Sequence, residues 1–307
     1  MTITAKIIAD SISEAGKRIT SLQLRYPRFI HAEFMTHRVF SRNASSSRAI
    51  PIERLIKDII DDTAMPIHWG KNQPGMQADE ECDAEIKLNV FPPSSYGYDS
   101  PWKTVNKEEA WFKARDNAIE IAKAFNEAGY HKQIVNRLLE PFSHINVIVT
   151  ATEWDNFFAL RCHKDAQPEI RELATKMRVE MGISTPQLLK PGEWHLPYVT
   201  QEDRQSVLRD CNRDVIRSYS KNEKLVFEDV LLRCSVARCA RVSYLTYEMK
   251  KPEIEADLKL YDRLVGSVPL HASPAEHQAT PAVPEFEIKK HWGNFEGWRQ
   301  YRKMIEL

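Results

Sequence analysis

The chain has 307 residues, with 43 Lys and Arg balanced by 43 Asp and Glu, and 42% of its residues are hydrophobic. That length builds a sizeable core, and zero net charge without a basic block excludes bulk attraction to duplex nucleic acid or to a membrane surface. No apolar run approaches the roughly 20 residues needed to cross a bilayer, and Met1 to Ala9 lack the apolar stretch of a signal peptide, so a cytoplasmic protein is expected. The five cysteines, Cys82, Cys162, Cys211, Cys234 and Cys239, are scattered and form no Cys-x-x-Cys pair, so neither a disulfide framework nor a metal site is expected. Only ten glycines are present, about half the usual share of roughly 7%. No Gly-x-Gly-x-x-Gly or Gly-x-x-x-x-Gly-Lys occurs, so any phosphate must be held largely by side chains.

The alternation of Leu22, Leu24 and Tyr26 predicts a strand over Thr20 to Tyr26, and Pro27 ends it. Ile30, Phe34, His37 and Arg38 fall on one face of a predicted helix with a cationic far end. Residues 66–103 gather prolines, glycines, aromatics and acids without periodicity, which reads as a surface insertion or lid. Trp111, Ala114, Ala118, Ile121 and Phe125 predict a helix closed by Gly129. A shorter helix carries Asn136 and Arg137, Ile145 to Val149 read as a strand, and Thr152 to Leu160 as a helix. Ile170, Leu173, Met177 and Met181 mark a further helix. After Pro186, Pro191 and Pro197, helical sequence resumes to about Leu232, and Leu258, Tyr261, Leu264 and Val265 mark another helix before a coil from Gly266 to Pro284. The mixture predicts a single α+β domain without internal repeats.

The densest chemistry lies in Thr36-His37-Arg38-Val39-Phe40-Ser41-Arg42-Asn43-Ala44-Ser45-Ser46-Ser47-Arg48. Three arginines, a histidine, four serines and an asparagine in thirteen positions form an array of donors suited to phosphate and carbonyl oxygens. On composition alone the segment could equally be a solvated serine-rich loop. Its spacing resembles the signature of the flavin-dependent thymidylate synthases (ThyX), Arg-His-Arg-x-x-Ser-x-Asn-Glu-x-Ser-x-Arg, with His37, Arg38, Ser41, Asn43, Ser46 and Arg48 in register. A second block, Asn136-Arg137 to Pro141 and Asn156-Phe157-Phe158-Ala159-Leu160-Arg161 to Ala166-Gln167-Pro168-Glu169-Ile170, is similar to further motifs of that family. Ala240-Arg241-Val242-Ser243-Tyr244 and His271-Ala272-Ser273-Pro274-Ala275-Glu276-His277 resemble a strand and a turn that precede the signature in the family. Here they follow it, which implies a circularly permuted order, an arrangement a chain tolerates when its former termini lie close together.

The resemblance implies a ThyX-like fold, an antiparallel sheet with a helical bundle, and transfer of a one-carbon unit from methylenetetrahydrofolate to C5 of dUMP with FAD and NADPH. It implies that Arg161 stabilises negative charge on the uracil edge, which a non-titrating guanidinium suits. Glu33, Ser45, Ser46, Ser47 and Arg48 would meet the nucleotide and Arg137 its phosphate. His37, Arg38, Thr150, Asn156, His271, Ser273 and Glu276 would hold the flavin. Family members form homotetramers whose sites draw on several chains. The bland alternative for Arg161 is a surface salt bridge to Glu153 or Asp165. Cys162 beside His163 suggests a cysteine nucleophile, but neighbours on a helix point about 100° apart, and the flavin route needs no thiolate.

Thr36 stands where the family has arginine, Ala44 where it has glutamate, Ala49 where tyrosine is common, and Glu33 where glutamine is common. Loss of one arginine and one carboxylate together leaves local charge unchanged. Glu33, an acceptor-only group, suits the amino edge of cytosine better than the carbonyl edge of uracil. A flavin- and folate-dependent hydroxymethylase acting on dCMP or dUMP is therefore one alternative, and a catalytically silent nucleotide-binding relative is another.

Overall fold

The computed structural model describes residues 2–89, 102–210, 223–242, 253–283 and 289–306. Strands β1 (Thr4–Ser13) and β2 (Arg18–Pro27) form an antiparallel hairpin whose turn closes through Ser13 N–H to Lys17 O at 2.9 Å. Gly16 in that turn has φ +75°, where a Cβ would be strained. β3 (Ser41–Ala44) follows the short helix α1 (His31–Phe34), and α2 (Ile52–Asp61) follows β3. β4 (Ile86–Asn89) and β5 (Trp102–Val105) pair with each other, and α3 (Lys107–Glu127) starts at an Asn106/Glu109 capping box. Next come α4 (Lys132–Val135), a 3₁₀ helix over Asn136–Phe142 and β6 (His144–Ala151). They are followed by α5 (Asp155–Arg161), α6 (Pro168–Ile183), β7 (Gln187–Leu189), α7 (Gln201–Asp210) and α8 (Glu223–Arg241). α9 (Ile254–Val265), a 3₁₀ turn over Ser273–Glu276, β8 (Ala279–Pro281), β9 (Trp298–Gln300) and α10 (Arg302–Ile305) complete the order.

The main sheet runs β3-β6-β2-β1-β7, antiparallel except for the parallel β1–β7 pair. Both faces are covered, so β6 is a nearly continuous buried run rather than an alternating one. Strand alternation divides its residues cleanly. Leu22, Leu24, Tyr26, Val147 and Val149 pack with Phe34, Phe40, Trp154, Phe157 and the α6 residues Ile170, Leu173 and Met177. Ser21, Ile148 and Thr150, one position out of phase, turn to the opposite face; there Ile148 packs with Tyr198, Cys239 and Val242. α2, α3 and the 136–142 turn enclose a second cluster around Ile56, Ile59, Leu139 and Phe142.

A third cluster joins α8 and α9. Within it Arg238, almost fully buried, donates to Asp257 at 2.7 Å and to both oxygens of Asp203 at 2.6 and 2.9 Å, an ion pair that tolerates burial only because each charge is met. The Asp203 carboxyl, although partly desolvated, is held below its usual range by Arg238 and the Thr200 backbone and hydroxyl.

Several expectations are corrected. The helix expected to carry His37 and Arg38 ends at Phe34, because the chain turns to enter β3; Arg42 fixes that turn by donating to the carbonyls of Met35 and His37, both at 3.0 Å. α3 occupies the expected span and Gly129 (φ +86°) follows its end, but Ile119 and Ala122 form its buried face, while Ile121 and Phe125 are exposed. Ala240 and Arg241 end a helix rather than forming a strand, and Cys211, Ser243 and Tyr244 lie outside the described residues. Residues of the 66–89 segment meet the motif at 165–169: Ile67 N–H donates to Glu169 at 2.6 Å and Gln77 to the Asp165 carbonyl at 2.9 Å. Among the described residues, no helix is long and apolar enough to cross a membrane.

Candidate functional site

The signature segment runs from α1 along β3 to a 3₁₀ turn at Ser47–Ala49, and it meets the second block at two places. At the first, Arg161, the last residue of α5, donates from Nε to His37 Nε2 at 2.9 Å and from Nη1 to Glu33. The partner is Glu33, not Glu153 or Asp165, so the guanidinium is held between two residues of the signature region. Because Nε2 accepts, the neutral His37 ring carries its proton on Nδ1. Burial, together with the charges of Arg161 and Arg42, lowers the His37 pKa to about 4. The ring stands edge-on to Phe157 at 4.8 Å, and Phe40, Trp154 and Phe34 complete an aromatic wall behind it. Glu33 and Arg161 both retain partial exposure, so an acceptor and a donor group lie side by side at the surface.

At the second place, Arg48 and Arg137 line one cleft of about 540 Å³ with Phe125, Gln133, Ile134 and Leu138. The two guanidiniums come from motifs almost ninety positions apart and are both exposed. The serines between β3 and Arg48 are used unevenly. Ser45 Oγ accepts from Asn146 N–H at 3.0 Å and Ser47 Oγ donates to Glu140 at 2.6 Å, both from buried positions, whereas Ser46 is half-buried. Asn136 clamps the loop by donating to the Ser47 and Ile50 carbonyls at 2.7 and 3.0 Å.

The C-terminal block reaches the signature within one chain. The 273–276 turn packs against β3, and Gln300 joins them by donating to Ser41 Oγ at 3.1 Å and to the Glu276 carbonyl at 3.0 Å. Glu276, paired with Arg302, also acts on Arg42; burial pulls Arg42 below the usual guanidinium range, and Tyr26 and Glu276 oppose that fall. His271, Ser273, Arg38 and Asn156 are exposed. Each therefore offers at the surface a polar group of the kind that meets the diphosphate or carbonyl oxygens of a flavin dinucleotide.

Thr150 is placed differently. It is fully buried, and its Oγ1 lies 2.5 Å from Ser21 Oγ and 2.9 Å from His277 Nδ1. Ser21 continues to His195 Nε2 at 2.8 Å, and His195 Nδ1 to Ser11 at 2.9 Å. This chain of hydroxyls and imidazoles across the sheet's second face was not anticipated; the only hint was alternation placing Ser21 and Thr150 opposite the leucines. Arg42 and Glu140 were also missed, although both stand inside the motifs. α5 ends at Arg161, so Cys162 and His163 lie just beyond the helix expected to carry them; Cys162 packs against the sheet core while His163 is exposed beside Asp165.

The family model for thymidylate synthase complementing protein (Thy1) matches residues 19–187, more than half of the chain. The chain belongs to this family, the ThyX family that its signature resembles. Two crystal structures of a UMP/dUMP methylase PolB from Streptomyces cacaoi are similar to it, one bound with 5-Br dUMP and one with 5-Br UMP. Each has TM-score 0.41 and 15% identity and covers 59% of this chain, with 90% and 89% of the methylase chain aligned. No curated protein matches in sequence.

Proposed function

We propose that the protein is a flavin-dependent thymidylate synthase, transferring a one-carbon unit from methylenetetrahydrofolate to C5 of dUMP. Two observations support this reading: Arg48 and Arg137 meet in one cleft, and Arg161 is held by His37 and Glu33 of the signature region. The cleft arginines take the 5′-phosphate by charge-assisted hydrogen bonds, with Ser46 beside them. Arg161 holds developing negative charge at the N3/O2 edge of the base, and the aromatic wall behind His37 keeps that edge poor in water. Arg38, Asn156, His271, Ser273 and Glu276 hold the cofactor, with His37 at its margin. FAD, when bound, supplies reducing equivalents drawn from NADPH. Thr150, Ser45 and Ser47 brace the protein behind these groups.

The direct test is titration of the full chain with dUMP beside its absorbance spectrum. Replacing Arg137 with Ala is expected to weaken dUMP binding by about 10- to 100-fold, the size of one charged hydrogen-bond pair. Unchanged binding would remove the phosphate role. A yellow preparation is expected; one that binds dUMP yet takes up no FAD fits a catalytically silent relative. Packing of the 273–276 turn on β3 also supports a single permuted catalytic domain, and the cytoplasmic homotetramer implied by the family is proposed with it.

One observation favours a second reading, a hydroxymethylase acting on dCMP. The Glu33 carboxylate beside Arg161 offers an acceptor next to donors, which matches the N4 amino group together with N3 and O2 of cytosine. On uracil the same alignment sets the carboxylate against O4. Glu33→Gln is expected to shift the dUMP:dCMP affinity ratio toward dUMP by about tenfold, the lower end of one base-edge pair. A ratio that does not move rules out this role of Glu33.

A further inference from the structure

We infer that Glu140 is a positioning residue of the phosphate cleft, holding Arg137 and the Ser47–Arg48 turn in the relative placement that a nucleotide monophosphate needs. This rests on the reading of Arg48 and Arg137 as phosphate ligands.

Glu140 lies one 3₁₀ turn beyond Arg137, where side chains three residues apart are eclipsed. Its Oε2 is 3.5 Å from Arg137 Nη1, and its Oε1 accepts from Ser47 Oγ at 2.6 Å and lies 4.0 Å from Arg28 Nη1. Arg28 in turn donates to the Ser45 carbonyl at 3.2 Å and to Ser143 Oγ at 3.3 Å. One carboxylate thus ties the element carrying Arg137 to the turn carrying Arg48. Three further bonds run the same way, two from Asn136 and one from Lys132 Nζ to the Ala49 carbonyl at 3.1 Å.

An anion at the edge of a phosphate cleft repels the ligand, so its presence there needs a compensating gain. That gain is order. The Arg137 side chain is 62% exposed and would otherwise surrender its rotamer freedom on binding. A guanidinium carries five N–H donors, and one contact to Glu140 leaves a two-donor edge for phosphate oxygens. Arg48 and Arg137 against Glu140 leave a net positive cleft, suited to a phosphate anion.

The experiment is calorimetric titration of the full chain, with FAD present, against dUMP and against deoxyuridine as the phosphate-free probe, using wild type, Glu140→Gln and Arg137→Ala. Glutamine keeps an acceptor for Ser47 and preserves the volume. The expected result is that E140Q weakens dUMP binding about tenfold, as for one newly mobile long side chain, and leaves deoxyuridine binding unchanged. A general loss of structure would weaken both ligands alike and would overturn the inference. E140Q binding dUMP as tightly as wild type, or more tightly, would also overturn it, by showing the carboxylate to be only a competing anion. If R137A binds dUMP like wild type, the phosphate reading falls and this inference with it; if R137A weakens and E140Q does not, only this inference falls.

Discussion

Replacing Arg161 with Ala is expected to lower kcat by about 100- to 1,000-fold, the cost of removing a donor aimed at developing charge, while the fold and the flavin content persist. The local structure explains why the two effects separate. Arg161 ends α5, keeps some solvent exposure, and bonds to His37 and Glu33 rather than to a core element. Its loss leaves Glu33 unpaired, but Glu33 is itself partly exposed and can be hydrated. His37 loses a donor and a neighbouring positive charge, so its pKa rises from about 4 toward the ordinary value while burial still holds it down. Turnover, the flavin spectrum and the thermal midpoint measured together check this. A variant that unfolds, or one that turns over normally, contradicts the assigned role.

Acidification is expected to unfold the protein well before its carboxylates titrate. Burial holds His195 and His277 at about 3, with Asp10 opposing the shift at His195 and His195 adding to it at His277. Burial also holds His31, His37 and His144 at about 4. In the unfolded chain a histidine titrates near 6.5. Below that value the unfolded state takes up protons that the folded state refuses, so stability is complete above about pH 6.5 and falls as pH drops toward the folded values. Within that window each such histidine contributes about 1.4 kcal/mol per pH unit. Urea midpoints should stay level from pH 7.5 to about 6.5 and then fall steadily to pH 4.5, and His277→Gln should flatten the slope by one histidine's share. A profile level down to pH 5 would show that these imidazoles are solvated in the folded protein.

How far the sequence carried this account depended on the range over which each interaction acts. Strand β2 was legible from the alternation of Leu22, Leu24 and Tyr26, β6 from its β-branched run Ile145 to Val149, and helices α3 and α6 from helical spacing, because each of these signals is local. Arg48 and Arg137 stood out as candidate ligands through motif spacing, not through periodicity, and the fold brings them into one cleft. Contacts across the fold were not. Nothing adjacent to Arg161 reveals that its partner is Glu33, 128 positions away, and nothing beside Ser21 reveals His195. The signature helix was overextended because His37 and Arg38 continue a 3.6-residue period that the turn into β3 interrupts, and Arg42's bonds to two carbonyls stabilise the turn instead. Ser45 and Ser47 look like open donors in a serine-rich loop, yet Asn146 and Glu140 already occupy them.

The measurement that bears most directly on the proposed chemistry is the mass of the nucleotide recovered after incubating the protein with methylenetetrahydrofolate, FAD, NADPH and either dUMP or dCMP. The expected result is that dUMP gains one methyl group, or that a pyrimidine nucleotide gains one hydroxymethyl group if Glu33 selects the cytosine edge. Both nucleotides returning with unchanged mass from a flavin-loaded preparation would contradict it.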